Sequence, residues 1–531
     1  MGAKKMLFNS YEFIFLFLPL TYIIFYFLSR FGPEKAIGWL VVASLFFYGW
    51  WNPAYLILII ISMIVNYLIG KLINPDRQSV FLAKHLLILG IIFNLGLLAY
   101  YKYAHFFMEN IAALTNNTYD IEQIILPLAI SFFTFQQIAF LVDAYRGLTK
   151  EYQFLHYALF VTFFPQLIAG PIVHHKEMLP QFLLKKNIKP KLENITIGLL
   201  IFAMGLFKKT VLADGVAQYA TPVFELAQTG AQIGFFESWG GALSYSFQLY
   251  FDFSGYSDMA IGAARLFGIK IPLNFHSPYK AKNISEFWKR WHITLSRFLR
   301  DYVYFPLGGN RKGKARRYSN LMITMLLGGL WHGAGWTFII WGALHGFYLV
   351  VNHFWHFIVR KLSLQAFQNS QLWQGTAWLI TYLSVVLGWV FFRAEDYDTA
   401  MIILQGMMGY NGISIPNGIA IHLAGFADIL STWGIGFTLG GGSQFVWTYL
   451  WIIFLTPVVL FFPNTQQFMD KFEPAYNKIS DQKEVSIFSQ SIIMKNLRFK
   501  YTYSWAIFSA ALFTFGIFAL SHISEFLYFQ F

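Results

Sequence analysis

The sequence predicts an all-α protein that crosses a lipid bilayer many times. Of its 531 residues, 56% are hydrophobic and 20% are aromatic, whereas only 12% are charged. Soluble domains carry about 25% charged residues, so this composition indicates a chain whose main solvent is lipid. Apolar stretches of roughly 20 residues, the length of helix that crosses a hydrocarbon core, recur from end to end. We expect roughly ten to twelve transmembrane helices, with interfacial or re-entrant helices besides.

Ten stretches have the length and hydropathy of a membrane span. In chain order they are residues 11–28, 36–51, 54–69, 86–101, 121–142, 195–212, 238–260, 374–392, 445–462 and 502–522. The longest polar runs, near residues 176–194 and 464–500, are only as long as loops. The sequence therefore predicts one integral-membrane domain over residues 1–531 and no separate soluble domain.

Basic residues are concentrated between Lys280 and Arg317. This stretch holds eleven lysines and arginines against Glu286 and Asp301, which gives it a net charge of +9. Because lysine and arginine are retained in cytoplasmic loops, we predict that the stretch faces the cytoplasm. The same rule explains the net charge of +13 of the whole chain without a nucleic-acid partner. The absence of cysteine excludes disulfides, thiolate metal sites and a covalent thioester on this chain.

Residues 285–302, within the basic stretch, fit an amphipathic helix lying in the membrane interface. On a helical wheel the apolar side chains form one stripe and the cations face the other way. The stripe consists of Phe287, Trp291, Leu295, Phe298 and Tyr302. A basic helix held on anionic lipid explains this stripe. It does not explain His292, which lies on the flank of the stripe.

The apolar block of 38 residues from 321 to 358 is too long for one span. As a straight helix it would measure about 57 Å, nearly twice the thickness of a hydrocarbon core. Glycines 328, 329, 333 and 335 around His332 predict where it breaks. A helix rising from Leu321 carries His332 to about mid-bilayer, where an ionisable group is a candidate functional residue. The alternative is that the glycines allow close helix packing and His332 bonds to a neighbouring helix.

Most of the thirteen histidines have a structural explanation as core or interfacial residues. His345 either supports a functional site at His332 or serves only to pack against neighbouring side chains. The sequence has no His-Glu-x-x-His motif, Gly-x-Ser-x-Gly turn or phosphate-binding loop, which argues against a zinc protease, a serine hydrolase and a nucleotidase. No metal site is expected. A reaction in which a histidine acts as general base is still compatible with the sequence, because the ordinary histidine pKa of about 6.5 suits proton removal from a hydroxyl.

Motifs spread over most of the chain resemble those of a known family. They are Ser131–Gln136, Phe164–Pro171, Tyr250–Asp258, Phe287–Ser296, Leu307–Arg311, Gly329–Ala334, Gly388–Arg393, Phe462–Gln467 and Tyr528–Phe531. The two Trp-His blocks, at 287–296 and 329–334, are the specific part of the pattern. Through them the chain resembles the membrane-bound O-acyltransferases, and among these the bacterial branch of alginate O-acetyltransferase membrane subunits.

The resemblance implies a set of functional residues. The histidine of the Trp-His-Gly block is catalytic in that family and corresponds to His332, and the second signature position, Asn or His, corresponds to His292. The further residues that we expect to line the substrate tunnel are Trp288, Trp291, Trp331, Asn274, Asp258 and His345. The candidates for binding the phosphates of a donor are Lys289, Arg290, Arg300 and Arg311.

The resemblance also implies a helical shell around a central tunnel, in a multi-pass protein of the bacterial cytoplasmic (inner) membrane. Acetyl-coenzyme A is the expected donor and enters from the cytoplasm, without a permanently bound cofactor. The expected partners are an extracytoplasmic acetyltransferase protein or small adaptor, a surface polysaccharide and the lipid bilayer, with no nucleic acid. The polysaccharide could be alginate, peptidoglycan or another exopolysaccharide.

Two alternatives remain at this stage. One is a protein of the same fold that transfers D-alanine to teichoic acid from a carrier-protein thioester. The other is a transporter or flippase, because a broken helix with a histidine at membrane depth also suits a permeation path. A purely structural scaffold leaves the Trp331-His332 break unexplained.

Overall fold

A computed structural model of the chain describes all residues except 1–5, 74–78, 118–123, 150–152, 169, 183, 185–186, 188, 424, 477–496, 522–526 and 528–531. The described residues are helical almost throughout and include one parallel pair of three-residue strands, β1 (Ser414–Pro416) and β2 (Gly436–Thr438). The predicted all-α fold is confirmed. The motif Tyr528–Phe531 lies outside the described residues.

The described part of residues 1–145 contains six α-helices. They are α1 (Leu18–Leu28), α2 (Pro33–Gly49), α3 (Ala54–Leu72), α4 (Val80–Leu98), α5 (Ala104–Thr115) and α6 (Ile130–Tyr145). A π-helical turn, Glu12–Phe17, leads into α1, and a second one, Ala99–Tyr103, joins α4 to α5.

The middle of the chain alternates short and long helices. They are α7 (Phe154–Thr162), α8 (Phe164–Leu167), α9 (His175–Phe182), α10 (Leu192–Phe207), α11 (Asp214–Gln228), α12 (Phe235–Leu266), α13 (Ile284–Arg290), α14 (Ile293–Leu299) and α15 (Lys314–His332). π-Helical turns occupy Lys208–Ala213, between α10 and α11, and Arg300–Tyr304, after α14.

The C-terminal part completes the bundle. Its helices are α16 (Trp336–Lys361), α17 (Gln365–Gln368), α18 (Gln371–Arg393), α19 (Tyr397–Met407), α20 (Asn417–Leu423), α21 (Gly425–Thr432), α22 (Ser443–Phe461), α23 (Thr465–Phe468) and α24 (Tyr503–Phe518).

Among the described residues, eight helical stretches are long and apolar enough to cross a membrane. They are Glu12–Phe31, Ala54–Leu72, Val80–Thr115, Leu192–Gln228, Trp336–Lys361, Gln371–Arg393, Ser443–Phe461 and Tyr503–Ser521. Three other long helices, α2, α12 and α15, lie between these stretches in the chain. The chain is therefore a multi-pass membrane protein.

Two helical stretches are longer than the sequence predicts. The predicted span 86–101 ends just before Lys102, and the predicted span 195–212 ends shortly after Lys208 and Lys209. The helices, however, continue through π-helical turns to Thr115 and Gln228. Lys102 bonds to backbone carbonyls, and Lys209 lies 2.7 Å from Asp214 and 2.6 Å from Asp252. Carbonyl and carboxylate groups of the protein itself bind these two ammonium groups. The helices can therefore continue past the point at which the hydropathy of the sequence falls.

The predicted interfacial helix over 285–302 is wrong in two respects. The segment is two short helices, α13 and α14, which are separated at Trp291 and His292. Its apolar stripe is also buried inside the protein, since Phe287 and Leu295 are each 1% exposed. A helical stripe covered by other helices has the same periodicity as one covered by lipid, so the sequence pattern does not distinguish the two.

The break in the apolar block lies where the glycines predict it. Helix α15 ends at His332 and α16 begins at Trp336, with extended backbone at Gly333 and Gly335. Close packing also contributes, because a Cβ atom on Gly329 would collide with the carbonyl oxygen of Phe338 in α16. The two explanations of the glycines, a break and a close approach, are both correct.

Helix α12 is the central helix of the bundle and is buried over nearly its whole length. It packs on α10 at two glycine pairs. A Cβ atom on Gly205 would lie 2.6 Å from the carbonyl oxygen of Gly255, and one on Gly198 would lie 2.8 Å from that of Gly262. Contact between two helix backbones needs such small residues, which are typical of helix packing in membranes.

Candidate active site

His332 and His292, forty residues apart in the sequence, lie together in the structure. Their ring centroids are 6.3 Å apart, and the ring planes are inclined at 65°. His292 is fully buried, whereas His332 is 8% exposed. His332 is the last residue of α15, and His292 is the residue just before α14. The fold therefore brings the two signature histidines together in one buried place.

His292 has a left-handed backbone conformation, with φ 40° and ψ 55°. This region costs a non-glycine residue roughly 1–2 kcal/mol, so its surroundings must hold it there. Asn274 supplies two of the hydrogen bonds that do so. Its carbonyl oxygen accepts from the amide of Ile293 at 3.0 Å, and its Oδ1 accepts from the Thr294 hydroxyl at 2.6 Å. Asn274 thus supports the backbone next to His292.

Aromatic rings surround His332. The ring centroids of Trp331, Trp341 and Phe392 lie 4.9, 5.1 and 5.1 Å from that of His332. Trp331 also contacts His292, at 6.0 Å between centroids. Of the predicted tunnel residues, Trp331 therefore touches both histidines. These apolar walls exclude water from the imidazoles, which strengthens any electrostatic interaction there.

His345 lies behind Trp341 and is fully buried, with ring centroids 4.8 Å apart. Trp288 contacts the same two residues, at 5.2 Å from His345 and 5.7 Å from Trp341. Trp291 packs against Trp389, with ring centroids 4.8 Å apart. These three predicted residues belong to the layer of aromatic side chains behind the walls of the histidine site.

Asp258 is not brought together with the histidines. It accepts hydrogen bonds from Lys208 and from the Thr465 hydroxyl, each at 2.6 Å. These contacts join α12 to the turn after α10 and to α23. The structure therefore shows Asp258 in contacts that join helices, and its place in the tunnel lining stays a prediction.

The four candidate phosphate-binding cations differ in their partners. Arg290 pairs with Glu286 at 2.9 Å, and Arg300 pairs with Asp301 at 2.7 Å. Lys289 and Arg311 are exposed, as are Lys312, Lys314 and Arg316. The cations that remain available at the surface are therefore Lys289 and the group that begins at Arg311.

A second polar cluster ties α6, α9 and α14 together. Arg297 makes two hydrogen bonds to the Glu177 carboxylate, at 2.5 and 2.9 Å. The Tyr302 hydroxyl lies 3.1 Å from both the Asp143 carboxylate and Nδ1 of His174. Burial, reinforced by the charge of Arg297, lowers the pKa of His174 to about 4, so this ring is neutral at neutral pH. The cluster anchors α14 and thereby the turn that carries His292.

Sequence reasoning missed several residues of the site. Trp341 and Phe392 form two walls around His332, although Phe392 lies in the motif Gly388–Arg393 and Trp341 lies in the apolar block of residues 321–358. Lys102 was missed entirely; its Nζ donates to the backbone carbonyls of Trp331 and His332 at 2.6 and 2.9 Å. The available signal was a lysine at the end of a strongly apolar stretch.

Comparison with known proteins points to one family. Residues 143–389 match the sequence profile described as MBOAT, membrane-bound O-acyltransferase family. The peptidoglycan O-acetyltransferase of Helicobacter pylori is 47% identical over 438 residues, which cover 77% of this chain and 81% of that protein. The probable alginate O-acetylase of Pseudomonas putida is 41% identical over 412 residues, covering 76% of this chain and 81% of that protein.

A more distant relative transfers a different group. The teichoic acid D-alanyltransferase of Streptococcus thermophilus is 30% identical over 281 residues, which cover 50% of this chain and 68% of that protein. The paired histidines, the broken membrane helix and the relatives agree in one assignment: this chain belongs to the membrane-bound O-acyltransferase family and is an O-acyltransferase.

Proposed function

We propose that this enzyme transfers an acetyl group from acetyl-coenzyme A to a hydroxyl group that belongs to a cell-surface polysaccharide or to an extracytoplasmic protein that passes the acetyl group on. The enzyme would act in the bacterial cytoplasmic membrane, with peptidoglycan as the first candidate polymer. The observation that carries the proposal is the buried pair of His332 and His292, whose ring centroids are 6.3 Å apart.

The proposed chemistry begins with His332 as general base. Its imidazole takes the proton of the acceptor hydroxyl while the hydroxyl oxygen attacks the thioester carbonyl carbon. The C–O bond forms, the C–S bond breaks, and the leaving thiolate takes the proton from the His332 imidazolium. His292 would orient the donor or hydrogen-bond to the oxyanion in the transition state. The exposure of 8% at His332, against none at His292, supports this division of roles.

The donor side of the proposal rests on charge. Coenzyme A carries phosphates, and the stretch from Lys280 to Arg317 has a net charge of +9. Lys289, Arg300 and Arg311 are its exposed members among the predicted phosphate ligands, and Arg300 is paired with Asp301. The acceptor side rests on the relatives, which are named for peptidoglycan and alginate acetylation.

The test is an assay of the purified protein in lipid nanodiscs, with acetyl-coenzyme A as donor and soluble peptidoglycan fragments or alginate oligomers as acceptors. Release of coenzyme A and ester-linked acetate on the acceptor are measured together. We expect His332→Ala to lower the rate by about 10²- to 10⁴-fold, the contribution of a general base.

The matched control is His85→Ala, because His85 is an exposed histidine in α4. This variant should keep the parent rate. The assignment is wrong if His332→Ala transfers acetate as fast as the parent protein.

In cells, mass spectrometry of the surface polymer should show loss of ester-linked acetate with His332→Ala and retention with His85→Ala. A parent protein that rejects acetyl-coenzyme A but accepts a D-alanyl carrier thioester would favour the alternative reaction instead.

A further inference from the structure

The C-terminal end of α15, which carries His332, has its carbonyl groups capped from a distant part of the chain. The last four carbonyls of any helix have no partner within that helix. Here Gly329 bonds to the amide of Gly333 at 3.3 Å. The Tyr103 hydroxyl donates to Leu330 at 2.8 Å, and the Lys102 ammonium donates to Trp331 at 2.6 Å and to His332 at 2.9 Å.

All three long-range caps come from one π-helical turn, Ala99–Tyr103. A π-helical turn is rare and recurs at functional sites, because it changes the direction in which side chains leave a helix. In this chain the turn lies inside the continuous helical stretch Val80–Thr115 and directs two consecutive side chains, Lys102 and Tyr103, to the same helix end. The turn lies outside residues 143–389, the part that matches the family profile.

The residue type at position 102 is informative. An ammonium group inside an apolar bundle is unfavourable, and neutral donors such as amides or hydroxyls could cap two carbonyls without that penalty. Among the described residues Lys102 makes no ion pair with a carboxylate, so its charge faces the negative end of the α15 dipole. A cation at a helix C-terminus strengthens both hydrogen bonds and fixes the terminal peptides.

We infer that Lys102 is a positioning residue for the acyl-transfer reaction, which fixes the terminal peptides of α15 and through them the imidazole of His332. Tyr103 supports the same helix end, because its hydroxyl donates to the preceding carbonyl, that of Leu330. The inference rests on the proposed role of His332 as the base. Its physical basis is that a catalytic group displaced by about 1 Å loses roughly 10²-fold in rate.

The test compares Lys102→Met, which removes the ammonium but keeps the length of the side chain, with Lys102→Arg, which keeps the charge and the donors. We expect Lys102→Met to lower kcat at least tenfold while KM for acetyl-coenzyme A stays within twofold. Lys102→Arg should recover at least half of the lost kcat. The matched control is Lys84→Met, an exposed lysine of α4, which should leave both constants unchanged.

Tyr103→Phe serves as a second variant if Lys102→Met fails to fold. It removes a single hydroxyl and should lower kcat at least threefold at unchanged KM. A double variant separates positioning from general damage: adding Lys102→Met to His332→Ala should cause no further loss, because a base that is absent needs no positioning.

The inference is overturned if Lys102→Met and Tyr103→Phe fold and keep the parent kcat. It is also overturned if KM rises in step with the fall in kcat, or if Lys102→Met lowers the rate of the His332→Ala protein by a further tenfold. Failure of the proposed function would look different, since then either the parent protein would not transfer acetate or the His332→Ala protein would transfer it at the parent rate.

Discussion

The side-chain oxygens of Asn274 and Thr294 are joined by a hydrogen bond of 2.6 Å, and this bond holds the backbone that carries His292. Thr294 also accepts from the amide of Ile172 at 3.0 Å, so one hydroxyl links three segments of the chain. His292 itself has φ 40°, a conformation that only a few per cent of non-glycine residues adopt. The geometry of the histidine pair therefore depends on residues that have no chemistry of their own.

Thr294→Val should lower kcat, because it keeps the shape of the side chain and removes the hydroxyl. The buried Oδ1 of Asn274 and the amide of Ile172 would then lose a partner, which costs about 1–3 kcal/mol in a buried setting. We expect a decrease of roughly tenfold in kcat and a lower melting temperature of the detergent-solubilised protein.

Thr294→Ser keeps the hydroxyl and should remain close to the parent protein in both measurements. Thr381→Val is the control for loss of a hydroxyl elsewhere, because the Thr381 hydroxyl donates only to a carbonyl of its own helix. If Thr294→Val and Thr381→Val behave alike, the hydrogen bond to Asn274 does not support the site.

Replacing His292 should separate its backbone strain from its chemistry. Glycine adopts positive φ freely and asparagine tolerates it, whereas valine pays about 1–2 kcal/mol there. We expect His292→Gly and His292→Asn to melt no lower than the parent protein and His292→Val to melt several degrees lower. All three variants lack the imidazole, so kcat should fall in all three. Equal melting temperatures for the glycine and valine variants would show that the strain is not significant.

Gly255→Ala should destabilise the bundle at its central contact. The added methyl group would lie 2.7 Å from the carbonyl oxygen of Gly205, so α10 and α12 must move apart. Overpacking of this kind costs about 1–3 kcal/mol, and the melting temperature should fall accordingly.

The control for Gly255→Ala is Gly96→Ala in α4, where an added methyl group meets nothing within 4 Å. Alanine favours the helix by roughly 1 kcal/mol over glycine, so the melting temperature of this variant should stay unchanged or rise. A Gly255→Ala protein as stable as the Gly96→Ala protein would contradict the proposed backbone contact.

Arg297→Met should lower the melting temperature of the protein more than the loss of an exposed arginine does, because Arg297 anchors α14. Arg297 binds the buried Glu177 carboxylate through two hydrogen bonds, and removing one partner of a buried pair costs about 3–5 kcal/mol. Arg300→Met removes a cation that is 56% exposed and paired with Asp301, where the expected change is within about 0.5 kcal/mol. Melting temperatures of the two variants that differ by less than a few degrees would argue against the structural role of Arg297.

Local patterns in the sequence predicted much of the fold. The membrane class, the break beside His332 and most spans follow from apolar length and glycine position, and these are local properties. The interfacial helix over 285–302 was predicted wrongly, because an apolar stripe buried in the protein and an apolar stripe facing lipid have the same periodicity in the sequence. The ion pair of Asp258 with Lys208, fifty residues away, was not predicted because a polar motif does not reveal its partner.

The sequence alone determined that the protein spans a membrane and which family the chain resembles, because composition, spacing and motifs are properties of the linear chain. It also predicted which two histidines carry the chemistry. Only the tertiary structure decided how the histidines meet, which rings enclose them, and that Lys102 caps the helix end at His332 across a separation of 230 residues. The physical reason is that hydrogen bonds and ring contacts depend on distance in space. The packing of α15 against the rest of the bundle sets those distances, and no local pattern encodes them.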